Sequence, residues 1–523
     1  MTSIRFSTRE LLCLALLFAW LTLTPAAHAA RQDAVMTDAE AGAKSNGSES
    51  DADAWMDGLV VTDHSIMIDG EVVDYTATAG TFTMATESGE PQADLFFIAY
   101  TRDDVEDPAD RPITFAFNGG PGSSSVWLHL GVFGPRRVEM DDEGFPLPPP
   151  YRLVDNDQSL LDLTDFVFID PVMTGYSRPA EGVNKSDFHG IDEDVESVGE
   201  FIRLYTTRFG RWNSPKFLAG ESYGTTRAAG LSGHLQDRHG LYLNGIVLVS
   251  SILNFQTARF DRGNDLPYIV FLPTYTATAW YHDQLGDELQ ADLEAAVDAA
   301  REFALGDYTL ALMQGSDLDQ DERSAIVTRL AQLTGLSEEY IDRGDLRIPI
   351  FEFTKELLRD EDRTVGRLDS RFTGIDANGN SSSPDYDPSY AAIEGPYTAT
   401  LNDYVRRELG YKSDLPYEIL TGRVHPWSYR RYQNRYVNVA DTLRSAMTKN
   451  RDLHVYVANG YYDLATPFFA TEYTFTHLGL PPELQDHVTM GYYESGHMMY
   501  IQLESLRRMR DELVSFYDTA IPD

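Results

Sequence analysis

The chain has 523 residues, with 82 acidic against 42 basic side chains and a formal charge of −40. That balance excludes a nucleic-acid or anionic-membrane binder, since both functions need positive patches. The length suits one large domain with an insertion, or two domains.

Arg5 and Arg9 precede an apolar run from Leu11 to Leu23, and Ala27-His28-Ala29 fits a small-residue cleavage site. Residues 1–29 are therefore expected to form a secretory signal peptide, with an apolar run too short to span a membrane comfortably. The protein is expected to be exported, to a periplasm or the medium, without stable membrane insertion. The only cysteine, Cys13, lies inside that run, so the processed chain would have no disulfide, thiol catalysis or Cys-based metal site. Residues 30–55 are rich in Asp, Ser, Gly and Ala and are expected to be a disordered acidic linker.

Strand-like runs follow at Gly58–Thr62, Thr76–Met84, Leu95–Tyr100, Ile113–Asn118 and Asp165–Asp170. Val195, Val198, Phe201, Ile202 and Tyr205 recur at helical spacing. Two further strands are expected at Phe217–Gly220 and Gly245–Ser250. Strands alternating with helices imply an α/β fold with a mostly parallel central sheet. The rhythm breaks in a mostly helical stretch, 255–430, expected to be an inserted helical cap between core segments 56–254 and 431–523. Within it, Gly374–Pro388 reads as a polar loop. The strand rhythm returns at Leu453–Ala458, and Leu503, Leu506, Met509, Leu513 and Phe516 mark a final amphipathic helix.

Gly220-Glu221-Ser222-Tyr223-Gly224 has the form G-x-S-x-G between an apolar run and helix-forming residues. A serine on a sharp strand-to-helix turn needs small flanking residues, and its hydroxyl then projects beside a helix N-terminus. Asp463 and His497 each come just after a later strand-like run, giving the order Ser, Asp, His found in α/β-hydrolases. In that arrangement the histidine takes the serine proton and the aspartate fixes its tautomer. Asn118–Ser125 is glycine-rich and follows a buried strand, so its bare backbone can offer N–H groups to an oxyanion. A phosphate loop is excluded there because no Gly-Lys-Ser/Thr follows.

Asn118–Ser125, Gly220–Gly224, Asp463 and His497 together resemble the signature regions of the serine carboxypeptidase family, peptidase family S10. Asp170–Ser177 resembles a further segment of that family, and the likeness runs from about Leu59 to Phe516. It implies an α/β-hydrolase fold with an inserted helical cap. It also implies a serine-type carboxypeptidase that removes C-terminal residues from peptides through an acyl-enzyme on Ser222, with no cofactor and no metal. By the resemblance His497 is the general base and Asp463 its orienting acid. Gly120 and Tyr223 supply oxyanion N–H groups, and Asn118 and Glu221 bind the substrate's terminal carboxylate. Glu221 would have to be protonated for that, and apolar burial would raise its pKa. The chain departs from the family at Ala116 (usually Trp), Ser123 (usually Cys) and Val132 (often a second Glu). An acyltransferase, an esterase or a non-catalytic envelope binding protein are the alternatives.

Four other features carry bland readings. Asp376, Asn378 and Asn380 alternate like a calcium loop, but Ser381 stands at its glycine position, so a polar loop is expected. Arg343-Gly344-Asp345 is expected to be a turn before a strand-like segment. His129 has no partner at metal-ligand spacing. Trp427 and Tyr429 are expected to pack rather than line a cleft.

Overall fold

β1 (Val60–Ile68) alternates between covered and exposed residues, the pattern of an edge strand with one wet face. β2 (Glu71–Ala85) and β3 (Pro91–Arg102) follow as a meander. β4 (Ile113–Phe117), β5 (Asp165–Ile169), β6 (Lys216–Glu221) and β7 (Gly245–Val249) are buried at every residue, as strands covered on both faces must be. β8 (His454–Gly460) and β9 (Val488–Tyr493) complete the run. The computed structural model describes residues 54–56 and 58–521. The expected signal peptide, Cys13 and nearly all of the expected linker lie outside them.

These strands form one sheet in the order β1-β2-β3-β5-β4-β6-β7-β8-β9, ten strands once the short Arg178–Pro179 strand on β3 is counted. The pairings from β1 to β5 are antiparallel. Every pairing from β5 through β4, β6, β7 and β8 to β9 is parallel. The period of two decides which core each side chain joins. Phe217 and Ala219 of β6 enter one apolar cluster, while Leu218 between them enters the other. The Leu218 side is covered by α1 (Ile191–Arg208) and α2 (Tyr223–His239), through Val198, Phe201, Leu231 and Leu235.

Between β7 and β8 the chain is largely helical. It includes α3 (Leu266–Tyr281), α4 (Leu293–Phe303), α5 (Gln320–Thr334) and α6 (Pro388–Arg407). The first three share a separate apolar cluster, which also takes in Tyr462, Leu464 and Phe468 from beyond β8. α6 behaves differently: Ile393, Tyr397, Leu401 and Tyr404 join the Phe217 cluster, with Leu506, Met509 and Leu513 of α7 (Leu503–Ala520). One local expectation fails. The turn at Arg343–Asp345 leads into a helix, Ile350–Glu356, and not a strand. Pro349 in extended conformation starts that helix and outweighs the β-branched residues around it.

Candidate active site

β6 ends at Glu221 and α2 begins at Tyr223, so Ser222 alone makes the turn. Its backbone lies at φ 60°, ψ −128°, a conformation that costs a non-glycine residue on the order of 1–3 kcal/mol. The surrounding packing holds it there. Ser222 N–H donates to Val249 C=O at 3.0 Å, and its own C=O accepts from Thr225 N–H at 2.9 Å. The glycines on either side are sterically required. A Cβ on Gly220 would stand 2.3 Å from the Gly224 carbonyl oxygen, and one on Gly224 would stand 2.7 Å from that of Phe117.

His497 and Asp463 come together from the loops after β9 and β8. His497 Nδ1 lies 2.8 Å from Asp463 Oδ2. Asp463 Oδ1 accepts from the N–H groups of Ala465 at 2.8 Å and Thr466 at 3.0 Å, and Thr466 Oγ1 donates to Oδ2 at 2.7 Å. Burial alone would depress the His497 pKa. The charge and hydrogen bond of Asp463, with help from Glu221, outweigh it and raise the pKa above the ordinary value. Ser222 and His497 line one cavity of about 470 Å³. No Ser222–His497 hydrogen bond is present among the described residues; such bonds commonly tighten only once substrate is bound.

The glycine-rich loop lies against this turn. A Cβ on Gly119 would meet Tyr223 N at 2.4 Å, so only glycine lets the loop approach α2. The N–H groups of Gly120 and Tyr223 donate to no backbone carbonyl among the described residues. Tyr223 stands at the N-terminus of α2 and Gly120 in the loop beside it, and N–H groups so placed can receive an oxyanion.

Glu221 is buried against the same cavity. Burial pushes its pKa up to about 7, against the opposing charge of His497 and a hydrogen bond from the Tyr500 hydroxyl to Oε2. Val132 lies in the apolar core, as its chemistry dictates. The hydroxyl that donates to Glu221 belongs to Tyr500, three residues past His497. Asn118 Oδ1 accepts from Leu128 N–H at 3.1 Å, while its buried Nδ2 makes no full hydrogen bond but lies near enough to Glu221 to help hold that carboxyl's pKa down.

Two further residues hold this arrangement and carry no motif. Arg227 and Asp194 are fully buried and paired, with Nε 2.8 Å from Oδ2. Arg227 Nη1 also donates to the Asn118 carbonyl at 2.5 Å, and Tyr223 OH donates to Asp194 at 3.3 Å. The pair thus ties the glycine loop to α2.

Residues 366–371, from the long segment between β7 and β8, are stitched to the loops that carry Asp463 and His497. His497 N–H donates to Leu368 C=O at 2.7 Å, Gly496 N–H to Asp369 Oδ2 at 3.1 Å, and Leu464 N–H to Arg367 C=O at 3.1 Å. Arg371 pairs with Asp369 at 2.7 Å and donates to Ser495 Oγ at 2.9 Å.

The remaining sequence candidates take structural roles. Asp376 pairs with buried Lys355 and accepts from Asp385 N–H at 2.9 Å, which anchors the polar loop. His129 is buried between Phe168 and the Tyr100 hydroxyl, with Nε2 2.7 Å from that oxygen. Trp427 packs edge-on against Tyr223 at 5.6 Å, whereas Tyr429, expected to pack, is exposed; neither lines the cavity. Trp127 does line it, held by its Nε1–H on Ser123 Oγ at 2.9 Å.

A mostly parallel sheet bearing a serine elbow, with an aspartate and a histidine after its later strands, defines an α/β-hydrolase. Within that class, the chain belongs to the serine carboxypeptidase family, whose sequence profile matches residues 71–507. It is similar to the pheromone-processing carboxypeptidase KEX1 of Saccharomyces cerevisiae, with 34% identity over 146 residues, 27% of this chain and 19% of the relative. Carboxypeptidase Y of Candida albicans is 30% identical over 132 residues, 25% of this chain and 22% of the relative. The chain thus spans about a fifth of the length of these curated relatives. The solved structure of a prohormone-processing carboxypeptidase from Saccharomyces cerevisiae shares the fold, at TM-score 0.54 and 16% identity, over 84% of this chain and 91% of the other.

Proposed function

We propose that the protein is a serine-type carboxypeptidase that removes C-terminal residues from peptides. Ser222 attacks the last peptide carbonyl while His497 takes its proton. The N–H groups of Gly120 and Tyr223 receive the oxyanion. His497 returns the proton to the departing amine, and water then releases the acyl group from Ser222 by the same route in reverse. Asp463, held by Thr466 and two N–H groups, fixes the imidazole and stabilises its cation. The observation that carries the reading is the shared cavity: Ser222 and His497 line it with Glu221, a carboxyl that burial keeps protonated toward neutral pH, and with Asn118, whose Nδ2 makes no full hydrogen bond. Two donors beside a nucleophile suit a substrate that ends in a carboxylate.

Valine at position 132, where the family often has a second Glu, supplies no carboxyl partner for Glu221, which favours the esterase or acyltransferase alternative. Matched N-blocked dipeptides, free-acid and amidated, separate the readings. Preference for the free acid supports the carboxypeptidase, and none would transfer the assignment to the alternative. Ser222→Ala and His497→Ala should each lower turnover by several orders of magnitude with the fold retained, and Asp463→Asn should be severely impaired. A folded Ser222→Ala protein with near-normal turnover would sink the mechanism.

Residues 255–430 are proposed to act as the substrate-selecting cap. The chain is further proposed to be exported; among the described residues no helix is long and apolar enough to cross a membrane.

A further inference from the structure

Among the described residues, Arg367 is the only lysine or arginine that lines the cavity holding Ser222 and His497. It is half-buried, and its backbone is fully used: the N–H donates to Asp387 Oδ1 at 3.1 Å and the C=O accepts from Leu464 N–H. Its guanidinium makes no hydrogen bond or ion pair among the described residues, although Asp387 lines the same cavity. Asp387 is already committed, since its Oδ1 also accepts from Ser389 N–H at 3.0 Å and from the Ser389 hydroxyl at the start of α6. A guanidinium that is partly desolvated and unpaired favours a carboxylate strongly, through its two-pronged N–H fork. In a chain of charge −40, it is also a local exception to a surface that repels acidic peptides.

Its position within the cavity narrows the partner. Arg367 adjoins Leu368, whose C=O accepts from His497 N–H at 2.7 Å, and both line the cavity, so Arg367 lies on its His497 side. His497 must hand its proton to the departing amine, so a group beside it faces the leaving residue. The terminal carboxylate has its own donors in Glu221 and Asn118. We propose that Arg367 is a specificity-determining residue that binds the acidic side chain of a departing Asp or Glu. The assignment rests on the carboxypeptidase reading given above.

The test uses N-blocked dipeptides ending in Glu, Leu or Lys, each as free acid and as amide. Every enzyme is first titrated with a fluorophosphonate, so that rates are per reactive serine. Arg367→Gln should lower the Glu-to-Leu ratio of kcat/KM by about ten-fold or more, carried by KM, which is the scale of one lost charged hydrogen-bond pair. Arg367→Lys keeps the charge without the fork and should recover part of that ratio. Arg367→Glu should turn the preference toward Lys.

An unchanged Glu-to-Leu ratio in Arg367→Gln would overturn the proposal. So would a variant that loses its preference for free acids over amides whatever the side chain, since Arg367 would then read the terminal carboxylate. A wild-type enzyme indifferent to amidation would instead refute the carboxypeptidase reading. The Glu-to-Leu ratio is measured on whichever series turns over, so the two failures remain distinct.

Discussion

Glu221 sits where two titrations oppose each other. To hold a substrate carboxylate it must keep its proton, which burial allows up to a pKa of about 7. To accept the Ser222 proton, His497 must be neutral, and its pKa is raised above 6.5. Activity on free-acid peptides should therefore rise as His497 deprotonates and fall as Glu221 ionises, giving a bell-shaped pH profile. The descending limb should appear chiefly in KM, because the ionised Glu221 repels the incoming carboxylate. Amidated peptides or esters should lack that limb. Glu221→Gln keeps a donor without the charge and should flatten it for free acids too. Identical pH profiles for free-acid and amidated peptides would show that Glu221 reads no carboxylate. The sequence supports half of this argument. It indicates that burial raises the Glu221 pKa, but not that Tyr500 donates to it. The Tyr500 role depends on how the chain folds back after His497, and nothing about a tyrosine in an apolar run announces it.

The elbow is the element on which the site turns, and its glycines can be tested one by one. Gly220→Ala puts a Cβ into a carbonyl oxygen of the following helix, with no flexible side chain able to yield. A loss on the order of 1–3 kcal/mol or more is expected, read as a lower Tm or lost soluble protein. Gly286 is the control: no atom lies within 4 Å of a Cβ there, and its φ is −71°. Gly286→Ala should leave stability within about 0.5 kcal/mol or raise it slightly. Equal losses at both positions would refute the steric account. This contrast explains what could be read from the chain. Gly220, Ser222 and Gly224 are legible because one steric demand writes three residue types at fixed spacing. Asp463 and His497 are legible because parallel sheets gather chemistry at strand ends. Arg227, Asp194 and Arg367 are not, since each acquires its role from an element distant in sequence. α6 falls within the expected cap segment by sequence order, yet its apolar face packs with α7 in the sheet's core. Chain order alone could not have shown that.

For the whole molecule, the buried carboxyls set a pH dependence of stability. The ordinary carboxyl pKa is 4.5 for a glutamate such as Glu221 and 3.8 for an aspartate such as Asp170, and burial raises both to about 7. Between those limits the unfolded chain ionises while the folded one keeps its protons, so stability falls as pH rises through that window. His497 acts in the same direction: its stabilisation is complete below 6.5 and is lost as pH climbs through its raised folded value. Mutual repulsion in a chain of charge −40 adds to the trend. Tm should therefore fall from about pH 5 to pH 8, and Glu221→Gln should reduce that slope, with a single-group effect on the order of 3 kcal/mol. A Tm rising over that range would contradict the buried-carboxyl account. The stitching of 366–371 to the catalytic loops has a consequence of another kind. His497, Gly496 and Leu464 take backbone or carboxylate partners from the same insertion that presents Arg367 to the cavity. On the proposed roles of His497 and Arg367, recognition and catalysis should not drift independently between descendants of this chain. An insertion grafted from a relative would have to bring its own moorings for the histidine, and successful chimaeras should be those that exchange the insertion and both loops as one cassette.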